Sequence, residues 1–261
     1  MEKAKRVVWR LLAASVCVMA VSQAVHADSL DEQRNRYAQI KQAWDNKQMD
    51  TVQALMPTLK DYPLYPYLEY RQITDDLMNQ PTVTVNNFIQ ANPTLPPART
   101  LKSRFVNELA RREDWRGLLA FSPDKPGATE AQCNYYYAKW ATGQQEEAWT
   151  GAKELWLTGK SQPNACDPLF SAWRASGKQD PLSYLERIRL AMKAGNTRLV
   201  TVLAGQMPAD YQTIASAVIS LANDPNTVLT FARTTGATDF TRQMAAVAFA
   251  SVARDDVENA R

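Results

Sequence analysis

Histidine is almost absent from this chain: His26 is the only one among 261 residues. It sits in a stretch that reads as a secretory leader. Lys3, Lys5, Arg6 and Arg10 make a basic start, Leu11 to Val21 is a short apolar run, and Val25-His26-Ala27 places small residues just before Asp28. Residues 1–27 are therefore expected to be a signal peptide, cleaved after Ala27. The apolar run is too short to span a bilayer, so no membrane anchor is expected. Cys17 lies inside that run and not at its end, which argues against a lipid attachment site. Beyond the leader the chain has no imidazole. That excludes Ser-His-Asp and Cys-His nucleophilic machinery and every His-ligated metal site.

Glycine and unbalanced charge are also scarce. Nine glycines, with no GxGxxG or GxxxxGKS among them, leave no phosphate-cradling loop, and no nucleotide cofactor is expected. The whole chain holds 30 basic and 27 acidic side chains. The leader takes four of the basic ones and Glu2, so residues 28–261 are close to neutral. No basic tract there is longer than Arg111-Arg112, and a nucleic-acid partner is not expected. Cysteine is reduced to Cys133 and Cys166. An even pair in an exported chain is expected to form a disulfide, closing a loop of about 34 residues worth ~3.8 kcal/mol by chain entropy.

Strand patterns are missing as well. Val83 and Val85 alternate briefly, but helical spacing resumes at Phe88-Ile89. What remains is helical from end to end. Ser29 to Glu32 reads as a capping box, followed by Tyr37, Ile40 and Trp44 on one face. Val52, Leu55, Met56 and Leu59 define a second helix, and Asp61 to Pro66 a proline-broken link into a third around Tyr67 to Leu77. Pro81, Pro93, Pro96 and Pro97 punctuate the next section. Helices fit 98–112, 114–121, 130–141 and 144–158. Asp167-Pro168, Asp180-Pro181 and Asp224-Pro225 each place an N-cap carboxylate before a first-turn proline, and Gly195 is a helix C-cap. Helical hairpins are expected around Gly143, Arg112 to Trp115, and Gly195. Residues 28–261 have room for ~13–15 helices of ordinary length. The fold class is all-α: an α-superhelix, or ring-like solenoid, of short antiparallel helical hairpins, too irregular for a strict tetratricopeptide array. Thr238 to Ala253 makes a helix, and Asp255 to Arg261 reads as the start of another that the chain does not complete. The expectation is the N-terminal part of a longer protein.

Aromatic residues are the candidates for binding. Tyr135, Tyr136, Trp140 and Trp149, with Tyr137 and Trp156 nearby, are candidate glycan contacts, because sugar rings stack on flat aromatic faces. The competing reading is a hairpin core, since aromatics at helical spacing mostly pack, and it is preferred. The acidic pairs Asp75-Asp76, Glu113-Asp114, Glu146-Glu147 and Asp255-Asp256 point ~100° apart on a helix and do not converge. Glu69, set among Tyr65, Tyr67 and Tyr70, comes nearest to an isolated general acid. A hydrogen-bonded structural role is preferred for it too. No catalytic residue and no metal ligand is assigned in this chain.

The segment Asp61-Tyr62-Pro63-Leu64-Tyr65-Pro66-Tyr67-Leu68-Glu69-Tyr70-Arg71 resembles the large soluble lytic murein transglycosylases of Gram-negative bacteria. The resemblance continues through Asn107 to Trp115 and Cys133 to Trp140 and covers essentially all of residues 1–261. It implies a periplasmic enzyme that cleaves peptidoglycan between N-acetylmuramic acid and N-acetylglucosamine, leaving a 1,6-anhydromuramic end. Such enzymes use one glutamic acid in a C-terminal lysozyme-like domain, marked by Glu-Ser, Gly-Leu-Met-Gln and Ala-Tyr-Asn stretches. None of these occurs here. The implied role is the non-catalytic superhelical portion, with glycan strands and its own C-terminal catalytic domain as partners. The alternative is a stand-alone periplasmic scaffold of tetratricopeptide-like hairpins that binds proteins.

Overall fold

The computed structural model describes residues 29–259; the signal-peptide assignment falls outside them. Fourteen α-helices and no strand occur among the described residues. The chain forms two compact units, one ending at Glu69 and the other beginning at Tyr70.

In the first unit, α1 (Leu30–Asp45) starts at the expected capping box. The Ser29 Oγ accepts from the Glu32 N–H at 3.2 Å, and the Glu32 carboxylate accepts from the Ser29 N–H at 2.8 Å. Next, α2 (Met49–Leu55) is shorter than its apolar spacing suggests. Pro57 cannot donate to the α-helical ladder, so Met56–Leu59 tightens into a 3₁₀ turn. Ile40, Trp44, Val52, Leu59, Tyr62 and Leu68 form the core, with Tyr37 against Tyr62 at 5.5 Å. The unit boundary lies inside α3 (Tyr65–Asp75), which begins two residues before its expected start because Pro66 fits a first turn.

The second unit continues with α4 (Thr82–Ala91), α5 (Pro96–Arg111), α6 (Trp115–Phe121), α7 (Thr129–Ala141) and α8 (Gln145–Trp156). Then come α9 (Asp167–Ala175), α10 (Pro181–Lys193), α11 (Thr197–Gly205), α12 (Gln212–Asn223), α13 (Val228–Thr234) and α14 (Asp239–Asn259). Most pack on their chain neighbours, as a hairpin array does, while α5 also packs on α7 and α10 on α14. One apolar cluster surrounds Leu101, Phe105, Leu109 and Leu118, and a second Trp156, Leu169, Ile188, Val200, Leu221 and Met244.

One turn recurs at four hairpins. At α1–α2 the Gln48 N–H donates to the Ala43 carbonyl at 2.8 Å and Lys47 to Trp44 at 3.0 Å. The same offsets recur at Asp114, Gln144 and Asn196. This is a Schellman motif in which the second residue after the C-cap is also the N-cap of the next helix. Its left-handed position holds Gly143 (φ 90°) and Gly195 (φ 69°), but also Lys47 (φ 59°) and Glu113 (φ 57°). The Lys47 hairpin was not expected, since no glycine marks it.

Two expectations fail locally. Asp167 is not an N-cap: a 3₁₀ turn over Asn164–Cys166 leads straight into α9, leaving Asp167 in the first helical turn. Asp180 and Asp224 do cap, accepting from Leu182 N–H (2.8 Å) and Asn226 N–H (3.1 Å). Asp255 starts no new helix, because α14 runs unbroken to Asn259. Nothing between Ala253 and Asp256 breaks the helix: there is no glycine or proline.

Candidate functional site

The candidate aromatics lie on the α7–α8 hairpin. The two helices are close at Gly151, where a Cβ would sit 2.3 Å from ring carbons of Tyr136. Tyr135 is buried, edge-on to Tyr136 with centroids 5.2 Å apart, and its hydroxyl donates to the Pro123 carbonyl at 3.1 Å. Trp149 is buried as well. Trp140 is half-buried against Tyr137 (5.0 Å), which meets Trp115 edge-on at 5.0 Å. Lys139 closes the hairpin, with Nζ 2.9 Å from Glu147 and 2.8 Å from Gln144 Oε1, above the Tyr135 ring. For Tyr135 and Trp149 the packing reading holds. Tyr136 is only partly buried, and with Tyr135, Lys125, Glu146, Glu147 and Thr150 it lines a cavity of about 320 Å³. Burial pushes its phenol pKa up, against the opposing effect of Lys125.

Cys133 of α7 is bonded to Cys166, at the entrance to α9, with Cα atoms 4.8 Å apart. Both are fully buried, so the bond ties α7 to α9 inside the second apolar cluster. Glu69 is half-buried beside Tyr65; burial raises its pKa and Lys60 partly lowers it. Among the described residues, no second carboxylate contributes to that shift. Among the described residues no group of three or more Cys, Asp or Glu is placed to hold a metal ion.

Sequence reasoning passed over the other feature of the second unit, a cavity of about 350 Å³ between α8, α9, α10 and α11. Its wall includes Trp156 and Phe170, centroids 5.1 Å apart and edge-on. The Trp156 indole N–H donates to the Ser183 carbonyl at 3.0 Å, which fixes the ring. The loop carrying Ser161 and Gln162 is pinned to α10 and α11. A Cβ on Gly159 would lie 2.3 Å from the Leu190 carbonyl oxygen, and Asn196 Nδ2 donates to the Gly159 carbonyl at 3.3 Å. Into this wall projects Arg187, only 4% exposed, its guanidinium carbon 4.2 Å from the Trp156 ring centroid. Desolvation pulls its pKa down to about 10, while Asp167 opposes that shift. The available signal was Arg187 set one turn from Tyr184, Leu190 and Ala191, on the apolar side of its helix.

The folded chain is thus an all-α protein built of sequential helical hairpins, with one disulfide among the described residues. Its homologues are the soluble lytic murein transglycosylases. It is 87% identical over its whole length to 40% of the soluble lytic murein transglycosylase of Escherichia coli K12. The match to the Salmonella typhimurium LT2 protein is 81%, again over the whole chain and 40% of the relative. The part matched is N-terminal, and the chain spans about two-fifths of the length of these relatives. Among solved structures, the 70-kDa soluble lytic transglycosylase of Escherichia coli matches 90% of this chain and 38% of its own, at 89% identity and TM-score 0.85. An inactive mutant of the Pseudomonas aeruginosa lytic transglycosylase Slt matches 86% and 36%, at 31% identity and TM-score 0.76. No family model matches the chain.

Proposed function

We propose that this chain is the non-catalytic N-terminal portion of an exported lytic transglycosylase. The whole enzyme would cleave the N-acetylmuramic acid to N-acetylglucosamine bond of peptidoglycan and form the 1,6-anhydro product. This portion holds and positions glycan strands for a C-terminal catalytic domain. The observation that carries the reading is the 87% identity along the full chain to the N-terminal two-fifths of such an enzyme. Two others support it. Lysozyme-like signatures are missing from the sequence, and Glu69, whose carboxyl pKa burial raises, has Lys60 and no second carboxylate among the groups that shift it. Residues 1–27 would direct the chain to the periplasm and leave Asp28 as the mature N-terminus. No helix among the described residues is long and apolar enough to cross a membrane, in keeping with the word soluble in the relatives' names. On the α7–α8 hairpin, Tyr136 is the contact best placed for a sugar ring, with Trp140 half-exposed beside it.

Incubation with purified sacculi tests this. The chain alone is expected to sediment with sacculi and release no anhydromuropeptides, whereas its fusion to the remaining C-terminal part of the Escherichia coli relative is expected to release them. Turnover by the chain alone, abolished by Glu69→Gln, would move catalysis into this chain. Failure to sediment would favour a protein-binding scaffold.

A further inference from the structure

Among the described residues, three buried side-chain atoms lack a hydrogen-bond partner: Gln179 Nε2, Ser183 Oγ and Arg187 Nε. All three lie on α10 or the turn before it, and Ser183 and Arg187, four apart, share one helix face. Buried polar groups are normally satisfied, and an unpaired charge is the costliest exception. Among the described residues, Arg187 makes no ion pair, and its Nε–H no hydrogen bond. Its guanidinium carbon lies 4.2 Å from the Trp156 centroid and 5.6 Å from that of Phe170, and its Nε–H has no partner.

Arg187 lines a cavity large enough for a small organic molecule. Arg174 and Arg198 also line it, so its three arginines outnumber the one carboxylate, Asp167. We propose that this cavity binds a carboxylate carried on a small organic body, with Arg187 as the charged anchor and Trp156 and Phe170 as the apolar wall. A guanidinium fork matches a carboxylate in two parallel bonds, and desolvation strengthens both. The ring edges and Leu199 favour a ligand with carbon beside its charge, and Asp167 disfavours a dianion such as phosphate. A peptide C-terminus and an acidic sugar both present this chemistry. The inference goes beyond glycan-strand positioning and does not depend on it.

Isothermal titration of the full chain tests it with N-acetyl-D-alanyl-D-alanine, N-acetylmuramic acid, the dipeptide's C-terminal amide, and inorganic phosphate. At least one of the two carboxylates is expected to bind with a Kd below about 1 mM, the amide at least ~10-fold more weakly, and the better acid identifies the source. The Arg187 Nε–H resonance is expected to shift on addition of that acid. Arg187→Met is expected to weaken binding by roughly tenfold or more, and Asp167→Asn, at an exposed site, to tighten it by about threefold. No binding up to about 10 mM, equal binding of acid and amide, or binding of phosphate alone would overturn the proposal. So would unchanged affinity in a folded Arg187→Met. Should that variant fail to fold, Asp167→Asn decides, and unchanged or weaker binding there counts against the site.

Discussion

Arg112 and Arg187 both lie over aromatic rings, yet the protein treats them in opposite ways. Arg112 sits 5.4 Å from the Phe105 centroid, and every side of its guanidinium is used. It donates to Glu108 at 3.0 Å, to the Leu77 carbonyl at 2.8 Å and to the Gln80 carbonyl at 3.3 Å. The 3₁₀ turn Leu77–Asn79 is thereby stitched to the end of α5. Glu108 is doubly held, because Arg111 also pairs with it at 2.6 Å; these bonds pull its carboxyl pKa down to about 2. Arg187 is more deeply buried and has none of this. A structural arginine is one whose donors are filled from within the chain. A buried arginine with open donors is one whose partner comes from outside.

That contrast can be broken in several ways, and the largest effect should come from the covalent frame around Arg187. Reducing Cys133–Cys166 frees α9, which carries Phe170 and Asp167, from α7. The loss expected is about 2–4 kcal/mol, seen as a lower Tm in the presence of reductant. A smaller loss, about 2–3 kcal/mol, is expected of Arg112→Met, which leaves two backbone carbonyls without their donor and Glu108 with Arg111 alone. Urea unfolding would show it, and a loss below ~0.5 kcal/mol would mean that the stitching is ornamental.

The acid limb of stability sharpens the same point. Glu108 has a folded pKa of about 2 against an ordinary 4.5. Its contribution is therefore fully present above pH 4.5 and is lost as pH falls from there towards 2. Glu108→Gln should flatten that part of the Tm-versus-pH curve, whereas Glu154→Gln, on an exposed pair with Lys125, should not. In the absence of ligand, Arg187→Met should change stability by no more than about 1 kcal/mol, because lost ring stacking offsets relieved desolvation. A drop comparable to that of Arg112→Met would mean the chain itself satisfies Arg187. The smallest effect concerns the turns: Lys47→Gly should raise stability by about 0.5–1 kcal/mol by relieving a left-handed lysine.

Most helices were legible because their signals are local. The capping box at Ser29, the glycines at 143 and 195 and the apolar spacing of α5 through α8 each act within a few residues. The errors are local too: Pro57 converts a turn of helix into 3₁₀, and a 3₁₀ turn displaces the cap expected at Asp167. The site was less legible. Tyr135 and Trp149 carry the right chemistry for a sugar face, but burial depends on what packs above them, which spacing does not encode. Arg187 drew no notice in the sequence because an arginine one turn after Ser183 on an amphipathic helix ordinarily points to water.

The sequence by itself determined the helical class, three of the four hairpin turns, the cysteine pairing and the likeness to lytic transglycosylases, since all of these follow from short-range backbone preferences and residue identity. Only the tertiary structure decided which aromatics are core, which arginine is fully partnered and where a cavity opens. Those depend on the approach of α8, α9, α10 and α11, segments far apart in the chain, and on whether their polar atoms meet a partner once water is removed.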